Sequence, residues 1–503
     1  PFLFDDFGNN YYVIYTKKDL DKNKFLSKVK TFYATDVFID STFNRNSVIV
    51  RGIVLSSDNM PLGGATLQEK ESLEGTTTNL DGTFEFKIQK ENNVEIGFLG
   101  HNSKTLTLKP GIFNTIILLS GQELKEVQVV GSRNKNRVAN DTPVAIDFID
   151  IEITSTKSSQ IEINQFLQYA IPSFNATKQS GADGADHIDP ATIRGLGPDQ
   201  TLVLINGKRR HQASLVNLYG TRGRGNSGTD LNAIPISAIK RIELLRDGAS
   251  AQYGSDAIAG VLNIVLNDTD NELNVTSTLG FNNADSNATF PIRLDGFTYK
   301  LGLNYGTKIN KGGFINFTTE ALSTDNTIRP ATAAREKFGQ AAVKNVSIFV
   351  NSEIPIYRNT KVYFNGGFNY KNTEAFAFTR KLDSERNVLD IYPNGFNPLI
   401  TSNILDNSVS FGMLTSFKEW NVDVSNTFGR NNFHYFIQNT LNATLEENSP
   451  IEFDAGGHQL IQNTTNIDFS KYFLAKTYGF NIALGLEYRL DKYKIFSGEE
   501  GSY

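Results

Sequence analysis

The chain has 503 residues, enough for several domains with buried cores, and 54 acidic against 49 basic side chains leave it mildly acidic. That balance argues against a sequence-independent nucleic-acid binder, which needs a basic surface to displace counterions. With no cysteine, there is neither a disulfide framework nor a thiolate metal site. Abundant Phe (36), Tyr (19) and Gly (41) beside only 2 Met point to a β-rich protein. No apolar run is long enough for a transmembrane helix. A transmembrane strand needs only about ten residues and one apolar face, so a membrane protein stays open. The first residue is Pro1, which reads as a processed or truncated front.

Residues 1–46 read as a linker or the remnant of a periplasmic signalling domain. A hairpin is predicted over 2–15, turning at Gly8-Asn9-Asn10, and a short helix over 20–33. Residues 47–121 read as a small β-sandwich. Val48, Val50, Gly52 and Val54 alternate, Pro61-Leu62-Gly63-Gly64 turns, and Asp81-Gly82 is a hairpin signal before Phe84, Phe86 and Ile88. Residues 122–137 are a polar connector around one extended piece, Glu126-Val127-Gln128-Val129-Val130, whose unpaired edge invites strand addition by another chain.

Residues 138–268 carry the most specific text. A short helix is predicted over 161–170, ending before Pro172. Asp189-Pro190-Ala191-Thr192-Ile193-Arg194-Gly195-Leu196-Gly197 follows. Then comes a strand at Thr201–Ile205, a turn at Asn206-Gly207 and a return at Lys208-Arg209-Arg210. A strand from Ile239 places Arg241 and Glu243 on one face and Lys240 and Arg246 on the other. Such charges, if buried, need partners. The glycines after Asp247 match no phosphate-binding loop, so they read as turns and close-packing positions.

From about residue 272 the period becomes two. Tyr299, Leu301, Leu303 and Tyr305 alternate with Lys300, Gly302, Asn304 and Gly306. Phe480, Ile482, Leu484, Leu486, Tyr488 and Leu490 do the same near the end. Strands of about ten residues with one apolar face and terminal aromatics fit transmembrane β-strands. About nine or ten strands fit before residue 495. Stretches 323–342, 373–407 and 446–465 read as extracellular loops, and Phe453-Asp454-Ala455-Gly456-Gly457-His458 as a loop tip.

These segments together resemble a TonB-dependent outer-membrane receptor of the Bacteroidetes type. The sandwich, through Val50-Arg51-Gly52-Ile53-Val54 and Thr77-Thr78-Asn79-Leu80-Asp81-Gly82-Thr83-Phe84, resembles a carboxypeptidase-regulatory-like domain. That name implies no catalysis, because none of the five histidines (101, 187, 211, 434, 458) offers a zinc-binding His-x-x-Glu pair. The connector resembles a TonB box. Residues 138–268 resemble the plug, through Arg194-Gly195-Leu196-Gly197, Leu202-Val203-Leu204-Ile205-Asn206-Gly207-Lys208-Arg209 and the run from Ile239 to Val261.

The resemblance implies a mainly β fold: a sandwich, an α+β plug and the first part of an antiparallel transmembrane barrel over 269–503, with much of a 22-strand barrel missing. It implies energised uptake of a scarce or bulky substrate (siderophore, cofactor, peptide or glycan) at the bacterial outer membrane. No catalytic residue, metal or cofactor is implied. The partners are TonB with its inner-membrane energising complex, outer-membrane lipid, an unknown extracellular substrate and, optionally, a surface lipoprotein. Glu126, Val127, Gln128, Val129 and Val130 fall to TonB binding. Arg194, Arg241, Glu243, Arg246 and Asp247 fall to plug–barrel or gating ion pairs. Arg209, His211, Asn217, Tyr219 and Arg222 fall to an apical substrate loop, with an ordinary flexible loop as the alternative. The run Tyr253-Gly254-Ser255-Asp256-Ala257-Ile258-Ala259-Gly260-Val261 departs from the Y-G-x-x-A-N-G-V-I pattern of starch-utilisation importers, which weighs against a glycan. A surface-signalling receptor and a structural or adhesive β-protein remain as rival readings.

Overall fold

The computed structural model describes residues 2–6, 12–16, 47–56, 60–70, 74–89, 93–98, 101, 103–118, 146–155, 158–218, 220–246, 249–254, 256–269, 271–284, 294–309, 312–329, 332, 334–357, 359–474 and 479–503. The chain divides into two compact units, Pro1–Lys125 and Glu126–Tyr503. The helix expected over 20–33 and the connector 126–130 lie outside the described residues.

In the first unit, β1 (Phe2–Asp6) pairs antiparallel with β2 (Tyr12–Thr16), forming the predicted hairpin. Seven strands follow: β3 (Ser47–Ser56), β4 (Thr66–Glu69), β5 (Gly75–Thr77), β6 (Thr83–Gln89), β7 (Asn93–Gly97), β8 (Lys104–Thr107) and β9 (Phe113–Leu118). They build two sheets, ordered β6-β3-β9 and β5-β4-β7-β8. Alternation sends Val50, Val54, Leu67, Phe84, Phe86, Ile88, Val94, Ile96, Ile116 and Leu118 into one core. The Asp81-Gly82 turn is held by Asp81, which accepts from the backbone N–H (3.0 Å) and hydroxyl (2.6 Å) of Thr83. Gly52 is required by close approach: a Cβ there would collide with the Asn114 carbonyl and sit 2.8 Å from the Phe84 ring.

The second unit begins with β10 (Ile146–Asp150), α1 (Ile151–Ser155) and α2 (Ile163–Ala170). Helix α2 buries Ile163, Phe166 and Leu167 at helical spacing and stops at Ile171, because Pro172 restricts the residue before it to extended backbone. Next come β11 (Phe174–Asn175), β12 (Thr192–Ile193), β13 (Thr201–Ile205), β14 (Lys208–Arg209), β15 (Ile239–Leu245), α3 (Ser250–Tyr253) and β16 (Gly260–Leu266). Five of the strands form a sheet ordered β10-β15-β16-β13-β14, with β13 and β16 parallel. Its core joins Ile205, Ile242, Leu244, Leu262 and Ile264 to Phe166 and Leu167 of α2.

Nine long strands follow: β17 (Glu272–Asn283), β18 (Leu294–Ile309), β19 (Gly313–Thr324), β20 (Ala342–Tyr357), β21 (Thr360–Phe376), β22 (Leu399–Phe417), β23 (Trp420–Gln438), β24 (Glu452–Leu474) and β25 (Gly479–Phe496). They pair in sequence order as one antiparallel meander. Its amphipathicity is the reverse of a soluble sheet. Asn304, Ser347, Asn369, Lys371, Thr373, Ser402 and Asn431 are buried, while Leu279, Tyr299, Phe411, Leu486 and Tyr488 are exposed. A large exposed apolar face opposite a buried polar face is the signature of a sheet with lipid outside and a polar lumen inside.

One set of connections is short (310–312, 358–359, 418–419, 475–478) and the other long (284–293, 325–341, 377–398, 439–451). Short turns belong to the periplasmic rim and long loops to the extracellular one. No helix among the described residues is long and apolar enough to cross a membrane.

The loops predicted at 373–407 and 446–465 shrink. Residues 399–407 belong to β22 and 452–465 to β24, so the proposed loop tip at 453–458 is strand. Asn403 and Asn407 on the outer face of β22 dilute its apolar stripe, and Tyr370 Oη donates to Asn403 at 3.0 Å, which compensates Asn403. In β24 the signal is broken at Gly456, with φ of 73°, opposite a register shift between His434 and Phe436. Replacing the exposed Phe411 near the middle of β22 by Arg should destabilise the sheet by roughly 2–4 kcal/mol in lipid. Urea titration of the membrane-embedded protein, followed by its heat-modifiable gel mobility, measures this; an unchanged midpoint would mean that this face does not meet lipid.

Candidate functional site

The Asn206-Gly207 turn reverses the chain so that four consecutive residues run along the inner wall of the large sheet. Lys208 Nζ lies 3.1 Å from Asp423 of β23. The Arg209 guanidinium bridges Asp256 (2.5 Å) and Glu487 of β25 (3.6 Å), and Asp256 also takes Arg489 of β25 at 2.9 Å. Arg210 donates to Asp406 of β22 through a charge-assisted hydrogen bond. His211 Nε2 lies 3.0 Å from the other Asp406 oxygen. Because a carboxylate only accepts, that nitrogen carries the proton. Burial pushes His211 below the ordinary imidazole range against the pull of Asp406, so the ring is neutral near pH 7.

The line continues upward. The Ser214 N–H and hydroxyl both donate to Asn431 Oδ1 at 2.8 Å, and Asn431 Nδ2 donates to Asp406 at 2.9 Å. His187 Nδ1 meets Ser402 Oγ at 2.8 Å, and Tyr493 Oη donates to the Ser214 carbonyl at 3.0 Å. His187, Ser402 and Asp186 superficially suggest a hydrolase relay. All three are buried, and Asp186 accepts from the Gly184 backbone (3.1 Å), so the arrangement is structural. Gly429 of β23 matters here: a Cβ would strike the His211 ring, so only glycine lets the imidazole lie against the wall.

Further pairs complete the seat. Lys371 Nζ of β21 lies 2.6 Å from Asp230, with both side chains at most 2% exposed. Lys300 of β18 pairs with Glu320 of β19 at 3.2 Å and donates to the Ile161 carbonyl at 2.6 Å. Glu320 also accepts from the Ser237 hydroxyl at 2.7 Å. Within the α+β unit, Lys178 is gripped by Glu162 (2.5 Å) and Asp189 (3.0 Å). Burial works to lower the Lys178 pKa, but the two carboxylates overcome it and hold the ammonium above the ordinary lysine range.

The residues singled out from sequence fall as follows. Arg241 pairs with Glu243 two positions along β15 at 2.9 Å, and the fully buried Glu243 also accepts from Asn263 at 3.0 Å. Arg246 pairs with Asp147 of β10. These pairs are internal to the α+β unit. Arg194 is exposed, with φ of 54°, and makes no ion pair among the described residues. Asp247 and Tyr219 lie outside the described residues, as do 126–130.

Arg209 and His211 face the wall as above. Arg222 clasps its own unit, donating to the Pro190 carbonyl (3.2 Å), Asn175 (2.8 Å) and the Thr177 carbonyl. The Asn217 side chain is buried without a hydrogen-bond partner among the described residues. Sequence reading missed Lys208, Arg210, Asp230, Lys371, Asp406, Asp423 and Asn431 as contact residues. Two signals were present: four adjacent basic or imidazole side chains after a tight turn, and Asp406 as the single charge of β22.

An inside-out sheet with an α+β unit bolted to its polar face defines a membrane β-barrel wall with a plug. The comparisons agree. The TonB-dependent Receptor Plug Domain family matches residues 138–261, and the CarboxypepD_reg-like domain family matches 50–130. The chain is 25% identical over 342 residues to the ferric enterobactin receptor PirA of Pseudomonas aeruginosa, covering 68% of this chain and 40% of that protein. It is 33% identical over 190 residues to a probable TonB-dependent siderophore receptor PirA of Acinetobacter baumannii, covering 35% and 23%.

The crystal structure of a mutant ferric enterobactin receptor from Pseudomonas aeruginosa superposes with a TM-score of 0.52 at 18% identity, covering 71% of this chain and 50% of that one. The siderophore receptor PirA from Acinetobacter baumannii gives 0.51 at 20%, covering 69% and 48%. The chain spans half or less of the length of these proteins. The likeness is thus to TonB-dependent receptors of the outer membrane, and residues 138–261 match their plug domain.

Lys371→Met should destabilise the seated plug by roughly 3–5 kcal/mol, because Asp230 is left buried and charged. The double variant with Asp230→Asn should recover most of that loss. Hydrogen exchange across 161–234 measures both, and equal losses in single and double variants would refute the pairing. The folded pKa of Lys178 lies above its unfolded value, so its contribution is present below the ordinary lysine pKa of about 10.4 and disappears as pH rises beyond it. Exchange protection at 178–189 should therefore fall with alkalinisation, and Lys178→Arg should shift that fall to higher pH.

Proposed function

We propose that this chain supplies the receptor and gate of a TonB-driven importer of ferric siderophores. The observation that carries the reading is the line of contacts from Lys208 to Ser214 onto β22, β23 and β25, buried at Arg210, His211 and Ser214 and partly exposed at Asp423 and Glu487. A plug seated this way blocks the lumen. Separating a buried ion pair without new partners costs several kcal/mol. Several such pairs exceed what thermal motion opens often, so passage requires work from outside the plug.

Residues Glu126–Val130 are the proposed point of entry for that work, accepting a TonB strand by backbone pairing. The strand β10 lies downstream of them in the chain, paired to β15 and tied by Asp147–Arg246. Arg241, Glu243 and Arg246 would then stiffen the plug sheet during gating. The siderophore reading rests on the names of the relatives, two of which are ferric enterobactin receptors. It agrees with the plug sequence that departs from the glycan-importer pattern at Asp256-Ala257-Ile258-Ala259.

The test is uptake of radioactive iron chelates by cells that lack their own siderophore receptors and express the full-length protein. Uptake should be abolished by a protonophore and reduced at least about tenfold by Val129→Pro, because proline removes a backbone donor from the added strand. Uptake that survives both treatments would sink the energised reading. Absence of uptake for every ferric chelate, with TonB binding intact, would sink the substrate assignment alone.

A further inference from the structure

Four charges in the seat alternate between the plug and the wall. Arg210 of the plug meets Asp406 of β22, and Asp230 of the plug meets Lys371 of β21 at 2.6 Å. All four side chains are at most 3% exposed. Plug and wall each contribute one cation and one anion, so the four charges are balanced on each side separately.

The two plug charges are neighbours. The Ala213 N–H donates to the Gly228 carbonyl at 2.8 Å, and the Asn217 N–H donates to the Asn226 carbonyl at 2.9 Å. The chain therefore leaves and returns antiparallel, which brings Asp230 back beside Arg210 and His211 at the base of the excursion. Burial pushes the Asp230 carboxyl up and Lys371 pulls it back, while Asp406 adds to the push and Arg210 to the pull. Arg210 Nε and Nη1 and Asp230 Oδ1 are buried, and none of them has a hydrogen-bond partner among the described residues. One plug charge thus has spare donors and the other a spare acceptor.

The two wall charges are neighbours as well. In the register of β21 and β22, Lys371 lies opposite Ile404, and Asp406 lies opposite Asn369. Lys371 and Asp406 share the inner face as a diagonal pair, about 7–8 Å apart, a gap that a lysine side chain spans. In the seated plug both are turned elsewhere: Lys371 to Asp230, and Asp406 to Arg210 and His211.

We propose that these four residues form a partner-exchange latch: as the plug leaves the wall, Arg210 and His211 pass from Asp406 to Asp230, and Lys371 passes from Asp230 to Asp406. Two ion pairs hold the plug in place, and two others form when it goes. Asp406 keeps Asn431, which belongs to the wall. Stripping buried charges of their partners is the main cost of opening an ionic seat, and the exchange removes that cost for the most deeply buried ones. The remaining anchors, Lys208–Asp423 and Arg209–Glu487, involve carboxylates that are 24% and 40% exposed, where water takes over. The inference rests on the gate reading and specifies how the seat opens and recloses.

The test uses the Ser214 N–H, which is bonded to Asn431 of β23 and so exchanges with solvent only when the plug leaves the wall. Its hydrogen exchange is followed in the full-length receptor in outer-membrane vesicles. Two double variants share Arg210→Met and differ only in the carboxylate neutralised. In Arg210→Met with Asp406→Asn, the amide oxygen still accepts from His211 and Asn431, and Lys371–Asp230 still holds the plug. Neither of those two has a successor partner, so Ser214 should exchange about tenfold more slowly than in the parent. In Arg210→Met with Asp230→Asn, the wall charges pair with each other and nothing of the four holds the plug. Exchange should then be about tenfold faster than in the parent.

A fixed latch, in which each pair only adds to the hold, gives faster exchange in both variants. Unchanged or faster exchange in the Asp406→Asn double therefore refutes the partner exchange, as does exchange no faster than the parent's in the Asp230→Asn double. Heat-modifiable mobility checks that each variant has folded. Lys371→Met with Asp230→Asn mirrors the first double and carries the test should that one not fold. If the exchange is refuted while the parent's uptake remains protonophore-sensitive, the importer reading stands. If Ser214 is unprotected in the parent, the seat itself is absent and both fall.

Discussion

Everything in the second unit depends on one requirement: a charge removed from water must meet a partner. The chain meets it by placing Lys208, Arg209, Arg210 and His211 in a row after a two-residue turn, and by placing Asp423, Glu487 and Asp406 on three different strands. The row fixes the plug's rotation and depth, since a shift of one residue would bring cations opposite serines and asparagines. The Asp230–Lys371 and Ser237–Glu320 contacts lock the other side. The register of β21–β23 is thus tied to the plug as well as to the neighbouring strands.

The same requirement explains the inverted sheet. In lipid, an outward side chain gains by being apolar and every backbone group must be paired within the protein. The inner face is therefore released from supplying a hydrophobic core. It carries Asn, Ser, Thr and Lys, which hydrogen-bond across strands, as Asn369 Nδ2 does to Ser347 at 2.7 Å. Those polar side chains then supply the plug's partners. Lipid outside and ion pairs inside are two consequences of one alternation with period two.

That alternation made much of the architecture legible. The long runs at Tyr299–Tyr305 and Phe480–Leu490, the strand Thr201–Ile205 with its Asn-Gly turn, and helix α2 were read from pattern alone. The failures have physical causes. β22 and β24 carry outward Asn or an inserted Gly-Gly pair, so their period is diluted and they passed for loops. The pairing of charges was not legible at all. Arg241 and Glu243 lie two positions apart on one strand and were expected to reach the barrel, yet they satisfy each other. Arg210 and Asp406 are nearly two hundred positions apart in sequence, and nothing local announces their meeting. Arg222 looked like a loop cation open to substrate, but three acceptors of its own unit surround it.

A plug could also be held by apolar packing, and the choice of ion pairs has a consequence. A buried apolar surface of similar size would be at least as stable, since replacing buried pairs by hydrophobic side chains is often neutral or stabilising. It would also reseal slowly, with greasy faces exposed to a wet lumen whenever it opened. Ion pairs and amide contacts exchange partners with water when they separate, and recover them by short-range attraction on closing. The seat therefore gives up some stability for reversibility and for a unique docking register. Both properties suit the force-opened gate proposed for this chain, and both follow from side chains that a soluble core would have excluded.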